Sequence, residues 1–529
     1  MTRPTTTGKA QDLITFTRST TGTALAKISY GEELVTNGTF DDGTTGWSKS
    51  NAASSIAAVN NQLVVTLGST YNNTYTSIAT EAGKAYTASV NLISSTSDAI
   101  YIGAGPTGNS FSLGLSSDIY DGTKGTITFT ASGSVTFIQL HVNGSSGQQA
   151  TFDNVSVKEV LYDQPDGTLQ LFNHPINKPR IEYDASGNCL GLLMEEARTN
   201  LALNSVNASS DNAATNITQV ANKANSLTGA DDAFLLQANT AGASYTGQLT
   251  TVTSGTSYTA SRFAKAGASN FAQLSMGTGG FGSAVFANFD LNTGTVSQES
   301  NCAAVMTNMG SGWYRCSISK QAVATTFGTS PHYFSAVNSG TANARISEAG
   351  NSVYFYGAQT ETGAFPTSYI PTSGSAVTRA DDLASLAVSK FGYNQDQCSV
   401  VVESNFFGGT NTSALCYIGE DTSDRIVLYY SNQNLSFQVR SNGATQASKS
   451  LSGQRNKAAY RYKLNDMNLA GNGDTTVADT SANLLGGTQD NIYIGSYYHN
   501  AGAHLNGHIK SIKYYPVGLS NAQLQALTV

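Results

Sequence analysis

In Gln62-Leu63-Val64-Val65-Thr66-Leu67 the apolar residues Leu63, Val65 and Leu67 fall on one side of an extended chain. Gln62, Val64 and Thr66 fall on the other, the pattern of a strand with one face on a core and one toward water. Thr126-Ile127-Thr128-Phe129-Thr130 repeats it, with Ile127 and Phe129 as the apolar pair between threonines. Asp121-Gly122 and Asn143-Gly144 interrupt such runs at hairpin distances. Glycine occurs 52 times, and only 12% of the 529 residues are charged, against roughly 25% in ordinary domains. The chain is expected to be all-β with many turns, and its length suggests about three domains, each able to bury its own core.

Composition also excludes functions. A net charge of -7 offers no basic stripe for a nucleic acid. No apolar run approaches the roughly 18 residues that span a bilayer, so no membrane insertion is expected. The start, Met1-Thr2-Arg3-Pro4, is followed by polar residues without an apolar h-region, so no secretion signal is expected. The cysteines (Cys189, Cys302, Cys316, Cys398 and Cys416) are five, an odd and sparse set without metal-site spacing. Cys302 and Cys316 flank a hairpin signal at Gly310-Ser311-Gly312, where a bridge or two buried thiols both fit.

The chain also carries a sentence in pieces. Phe16-Thr17-Arg18-Ser19-Thr20-Thr21-Gly22-Thr23 opens it, and Arg180-Ile181-Glu182-Tyr183-Asp184 with Glu195-Glu196-Ala197-Arg198-Thr199-Asn200 continues it. Gly357-Ala358-Gln359-Thr360-Glu361 and Pro366-Thr367-Ser368-Tyr369-Ile370-Pro371-Thr372 follow, and Gly312-Trp313-Tyr314-Arg315-Cys316 belongs with them. This set resembles a family of phage and prophage virion proteins of the tail-fibre kind. In that family the first two pieces sit close together; here about 150 residues separate them, as an inserted domain would. The resemblance implies a protein made in the host cytoplasm and displayed on the virion surface. Its N-terminal arm would contact other virion proteins, its sandwiches would bind host surface glycans, and it would be a homo-oligomer such as a trimer. It implies binding rather than catalysis. A capsid head-fibre or decoration protein is the alternative, and a polysaccharide-depolymerising tailspike a further one.

The expected domains are an arm at 1–30, a jelly roll at 31–160, a connector at 161–199, a second jelly roll at 200–385 whose end from 366 is a connector, and a last sandwich at 386–529. The first jelly roll opens at Glu33-Leu34-Val35-Thr36-Asn37-Gly38-Thr39-Phe40 and closes at Phe152-Asp153-Asn154-Val155-Ser156-Val157. That pairing resembles carbohydrate-binding-module jelly rolls. An internal repeat supports the second: Gly83-Lys84-Ala85-Tyr86-Thr87-Ala88-Ser89 matches Gly255-Thr256-Ser257-Tyr258-Thr259-Ala260-Ser261, and Tyr75-Thr76 matches Tyr245-Thr246. The last segment, through Ile492-Tyr493-Ile494-Gly495-Ser496 and Tyr514-Tyr515-Pro516, resembles a laminin-G or concanavalin-like sandwich. Ser520 and Gln523 have capping-box spacing for a final helix that Leu524 and Leu527 would pack down.

Candidate sites follow from chemistry. Sugar binding needs rings to stack on pyranose faces and polar groups to orient hydroxyls. Tyr497-Tyr498-His499-Asn500 and the patch from Tyr71 to Tyr75 supply both, while Trp47 and Trp313 read as packing. Asp153 shares strand phase with Val155 and Val157 and is expected to point inward, where a carboxylate needs a partner. The jelly-roll resemblance implies a structural calcium there, held by Asp153, Asp41 and oxygens near Asn37. The other reading is a carboxylate that caps backbone N–H groups at a β-bulge. Glu195 and Glu196 are adjacent, so a strand sends them to opposite faces, and an ion pair with arginine suits them better than paired catalysis. His504 and His508 flank the Asn506-Gly507 turn, not a helix, which argues against zinc. No nucleophile elbow or phosphate loop is present.

Overall fold

A computed structural model describes residues 13–116, 119–206, 211, 213–224, 226–230, 232–407, 412–419, 421–497 and 503–529. Strands take 55% of the chain and helices 3%, so the fold is all-β. Two compact units form. One takes the chain up to Leu25, Ile176–Gln219 and Leu235–Val529; the other is Ala26–Pro175 with Val220–Phe234. The second unit is inserted into the first in sequence, as the divided motif suggests, but its limits are wider than 31–160. The reason is strand pairing: Ile28, Ser29 and Tyr30 lie opposite Tyr162, Leu161 and Val160. Ala26, Ile28, Val160 and Phe172 share one apolar cluster, so residues on both sides of the expected limits complete the sandwich.

The inserted sandwich packs two sheets. One runs Thr123–Thr130, Ala85–Ser95, Gln149–Tyr162, Gly22–Tyr30 and Thr168–His174, with Gln62–Thr66 also paired to Gln149–Tyr162. The other runs Ser48–Lys49, Tyr71–Ala79, Val135–Asn143, Ala99–Gly105 and Gly114–Leu115. Leu63, Val65, Leu67, Ile127 and Phe129 are buried between them, as their alternation requires. Trp47 is buried too and donates its indole N–H to the Asn37 carbonyl at 2.9 Å.

The repeat is real. In the second sandwich Ser257–Ala266 lies between Trp313–Gln321 and Ser352–Thr362, as Ala85–Ser95 lies between Thr123–Thr130 and Gln149–Tyr162. Its other sheet centres on Thr326–Val337, flanked by Tyr245–Val252 and Phe271–Ser275. The matched tyrosines do the same job: Tyr86 accepts from the Glu81 N–H at 2.9 Å and Tyr258 from the Thr253 N–H at 3.0 Å. Cys316 faces Met306 rather than Cys302 across the hairpin, and none of the five cysteines forms a disulfide.

The last sandwich has two seven-stranded sheets, and it is not self-contained at 386–529. Thr15–Thr17 pairs with Leu383–Ala387 at the edge of one sheet, and Ile181–Tyr183 and Cys189–Met194 extend the other against Gly507–Tyr515. Part of the expected arm and part of the connector at 161–199 are therefore strands of this sandwich. Apolar burial explains it, since Phe16, Leu192 and Met194 enter its core. The final helix forms at Asn521–Thr528 with the full capping box, and Leu524 and Leu527 pack on Val401, Ala459 and Tyr515.

The scattered motif converges on one buried ion cluster within this unit. Arg18, Arg180, Arg379, Glu195 and Asp382 are each at most 1% exposed. Arg180 bonds Glu195 at 2.8 Å and also bonds Asp382, while Arg18 reaches Asp382 at 3.0 Å. Arg379 lies 3.4 Å from Glu195 and donates to the Glu196 carbonyl at 2.7 Å. Ser368 completes Glu195 with its N–H and its hydroxyl, both at 2.7 Å. Burial alone would raise the Glu195 carboxyl, but Arg379, Arg180 and the Ser368 bonds outweigh it and hold the group well below the usual carboxylate range. Glu196 instead turns to the buried Arg198, so the adjacent carboxylates, in the short link between Cys189–Met194 and Arg198–Asn200, go to different partners.

Candidate functional site

The five-stranded sheet of the inserted sandwich has a second face, opposite its core. Ile138, Leu140 and Val142 point inward, so Phe137, Gln139 and His141 point out. Register places His141 between Asn73 and Tyr101, and Gln139 between Tyr75 and Gly103. Four aromatic contacts result. Tyr71 stacks on His141 at 6.1 Å, Tyr101 lies 5.8 Å away, Phe111 meets the imidazole edge-on at 5.4 Å, and Tyr75 packs on Phe137 at 5.9 Å. Tyr71 is 48% exposed. A loop after Ala99–Gly105 lies flat on this face. A β-carbon on Gly103 would come within 2.3 Å of the Phe111 ring, so only glycine lets that ring reach the sheet. Gln139, fully buried, anchors the loop by donating to the Thr107 carbonyl at 3.1 Å.

Polar groups are set among the rings. His141 Nδ1 lies 2.5 Å from Asn73 Oδ1, and Asn73 Nδ2 donates to Asn109 Oδ1 at 3.0 Å. Burial lowers the His141 pKa from its ordinary 6.5, so the ring is neutral at pH 7. An amide oxygen only accepts, so Nδ1 carries the proton and Nε2 keeps a lone pair. The face therefore offers rings, an acceptor and an exposed amide within one patch.

The expected sugar residues meet different fates. Tyr71 belongs to this face. Tyr75 does too, but the loop at Gly108 covers its ring. Tyr497 lies in another cluster, on the last sandwich, with Tyr417 at 5.4 Å, Tyr429 at 6.4 Å and the Arg425 guanidinium at 5.8 Å. Tyr498, His499 and Asn500 lie outside the described residues. Tyr101, Phe111 and His141 were missed; the signal was the outward phase of Phe137-Ile138-Gln139-Leu140-His141, whose alternate residues are core.

The calcium residues make other bonds. Asp153 does not share the inward phase of Val155, because the strand bulges between Asp153 and Ser156 and Asn154 takes φ 52°. Its carboxylate accepts from the Asn154 N–H at 2.6 Å, the bulge-capping reading. Asp41 accepts from the Thr39 hydroxyl at 2.7 Å. Asn37 Nδ2 donates to the carbonyls of Gly43 at 3.1 Å and Thr45 at 3.0 Å, so an amide already gathers the oxygens a cation would. Among the described residues no group of three His, Cys, Asp or Glu could hold a metal ion. Chelation is expected to leave the melting temperature unchanged within about 1 °C, and a calcium-dependent rise of several degrees would restore the metal. His504 and His508 serve separate acids, Asp381 at 3.3 Å and Glu182 at 2.7 Å.

These features define an all-β protein of serial sandwiches with aromatic outer faces. No family model and no curated protein matches the chain. Among solved structures it is similar to the CBM40, a carbohydrate-binding module, of Ruminococcus gnavus IT-sialidase bound to α2,3-sialyllactose. That match has 17% identity over 26% of this chain and 84% of that one, with a TM-score of 0.23. It is also similar to the N-terminal CBM22-1-CBM22-2 tandem domain of Paenibacillus barcinonensis Xyn10C, at 13% identity over 63% of this chain and 98% of that one, with a TM-score of 0.20.

Proposed function

We propose that this chain is a glycan-binding protein whose inserted sandwich holds sugar on the face of Tyr71, Tyr101, Phe111 and His141. The observation that carries it is that one exposed patch combines stacked rings with a neutral imidazole acceptor and an amide pair. Rings would take the apolar face of a pyranose, and His141 and Asn109 would orient its hydroxyls. No bond is made or broken. Binding would be weak per site and strengthened by display of several copies. The motif from Phe16 to Thr372 supports a setting on a virion, as a receptor-binding tail fibre that contacts host surface glycans.

The test is titration of the whole protein against a panel of neutral oligosaccharides. Tyr71→Ala with Tyr101→Ala is expected to weaken binding by about a hundredfold, roughly 1.4 kcal/mol for each ring. Binding is expected to be flat from about pH 7 to 8 and to fall only in acid, below the ordinary imidazole range, because burial lowers the pKa at which His141 gains a proton and loses its acceptor. Unchanged affinity in the double variant would place the site elsewhere. Cryo-electron microscopy of particles would separate a tail fibre from a head fibre by where the chain sits.

A further inference from the structure

We propose that the second sandwich carries a site for an anionic sugar, a pyranose bearing a carboxylate, built on Arg345, Tyr245 and Tyr333. The inference deepens the glycan-binding reading and rests on it, at a different face. Tyr245 is the repeat partner of Tyr75, and Tyr333 lies opposite Gly247 and Ser275 on the outward side of its sheet. The two rings meet edge to face at 4.8 Å. The Arg345 guanidinium lies over both, 5.1 Å from Tyr245 and 4.8 Å from Tyr333.

Three features separate this from a passing surface contact. Arg345 adopts φ 61°, a left-handed backbone that a β-carbon disfavours, so the fold holds it there against local preference. Gln273 does the holding: it is fully buried, its Oε1 accepts from the Arg345 N–H at 2.5 Å, and its Nε2 donates to the Asn343 carbonyl at 3.1 Å. The Ser244 N–H fixes the Arg345 carbonyl at 2.9 Å. Meanwhile no described residue accepts a hydrogen bond from the guanidinium or pairs with its charge, unlike the buried arginines Arg18, Arg180, Arg262 and Arg379. A planar cation held over two rings, half-buried and without an anion, suits a planar carboxylate, which it can bind through two parallel N–H donors. The chain is net negative, so an acidic sugar needs such a local cation to approach.

The experiment is isothermal titration of the full chain with trigalacturonate and with 3′-sialyllactose, each beside its carboxyl-reduced form. The wild type is expected to bind at least one acid at least tenfold more tightly than its reduced form, with affinity falling as salt rises from 50 to 500 mM. Arg345→Ala is expected to abolish that preference while neutral-sugar binding at the Tyr71 face is unchanged, which also reports an intact fold. Arg345→Lys keeps the charge without the planar fork and is expected to fall between. If Arg345→Ala binds the acids as the wild type does, or if neither acid is preferred, the inference is overturned. Should acid binding survive Arg345→Ala but vanish with Tyr71→Ala and Tyr101→Ala, the glycan-binding reading stands and this site falls. Should no glycan bind at all, both fall.

Discussion

Asp382→Ala is expected to cost about 3–5 kcal/mol, enough to unfold much of the unit that contains it at ambient temperature. The balance of buried charges sets this cost. Three guanidiniums share two carboxylates out of water, and Asp382 touches all three: Arg18 at 3.0 Å, Arg180 more closely still and Arg379 at 3.8 Å. It also accepts the Glu195 N–H at 3.0 Å. Removing it leaves Glu195 alone against three cations. Burial first, and then the repulsion of Arg180, already lowers Arg18 to about 10. Asp382→Asn keeps the shape and still fails to neutralise, so it is expected to lose most of the same stability. A denaturation midpoint within error of wild type for either variant would show that the cluster is not what holds the unit together.

The same cluster makes stability depend on acid. Glu195 has a folded-state pKa held well below its unfolded value near 4.5. Its contribution is therefore complete above about pH 5 and is lost as pH falls toward the folded value. Glu195→Gln is expected to lower stability at pH 7 and to flatten the acid limb below pH 5.

Strands, repeat and final helix were legible because each is written locally. Leu63, Val65 and Leu67 declare a face by period, and Ser520 and Gln523 declare a helix start three residues apart. The motif pieces were legible as pieces, but not as one cluster. Arg18 and Asp382 are 364 positions apart, and Arg180 and Asp382 are 202 apart, separations over which sequence carries no pairing signal. The aromatic face failed for a related reason. Its residues alternate along three strands whose spatial order, Tyr71–Ala79 beside Val135–Asn143 beside Ala99–Gly105, is not their chain order. Arg345 gave no sign, since its place is set by a buried glutamine 72 positions earlier. The Asp153 error is one of phase: a single bulge turned a carboxylate outward that strict alternation sends to the core.

Gly38→Ala is the second large effect expected, about 3 kcal/mol, and it explains the Asn37-Gly38 opening of the inserted sandwich. A β-carbon on Gly38 would stand 1.9 Å from the carbonyl oxygen of Val155, and that atom is backbone, so no rotamer change relieves the clash. The two chains are pinned there by the Val155 N–H, which donates to the Gly38 carbonyl at 2.9 Å, just past the bulge at Asn154. Moving them apart breaks that bond and strains Asn37, whose amide gathers the neighbouring loop. Gly43→Ala and Gly46→Ala are the controls. Their β-carbons would meet nothing within 4 Å, but both residues take positive φ, 61° and 81°, so each is expected to cost only about 1 kcal/mol. If all three variants lose the same stability, backbone conformation rather than the Val155 contact is responsible. Gly38 belongs to one compact unit and Asp382 to the other, so the two large substitutions are expected to lower different transitions of the same chain.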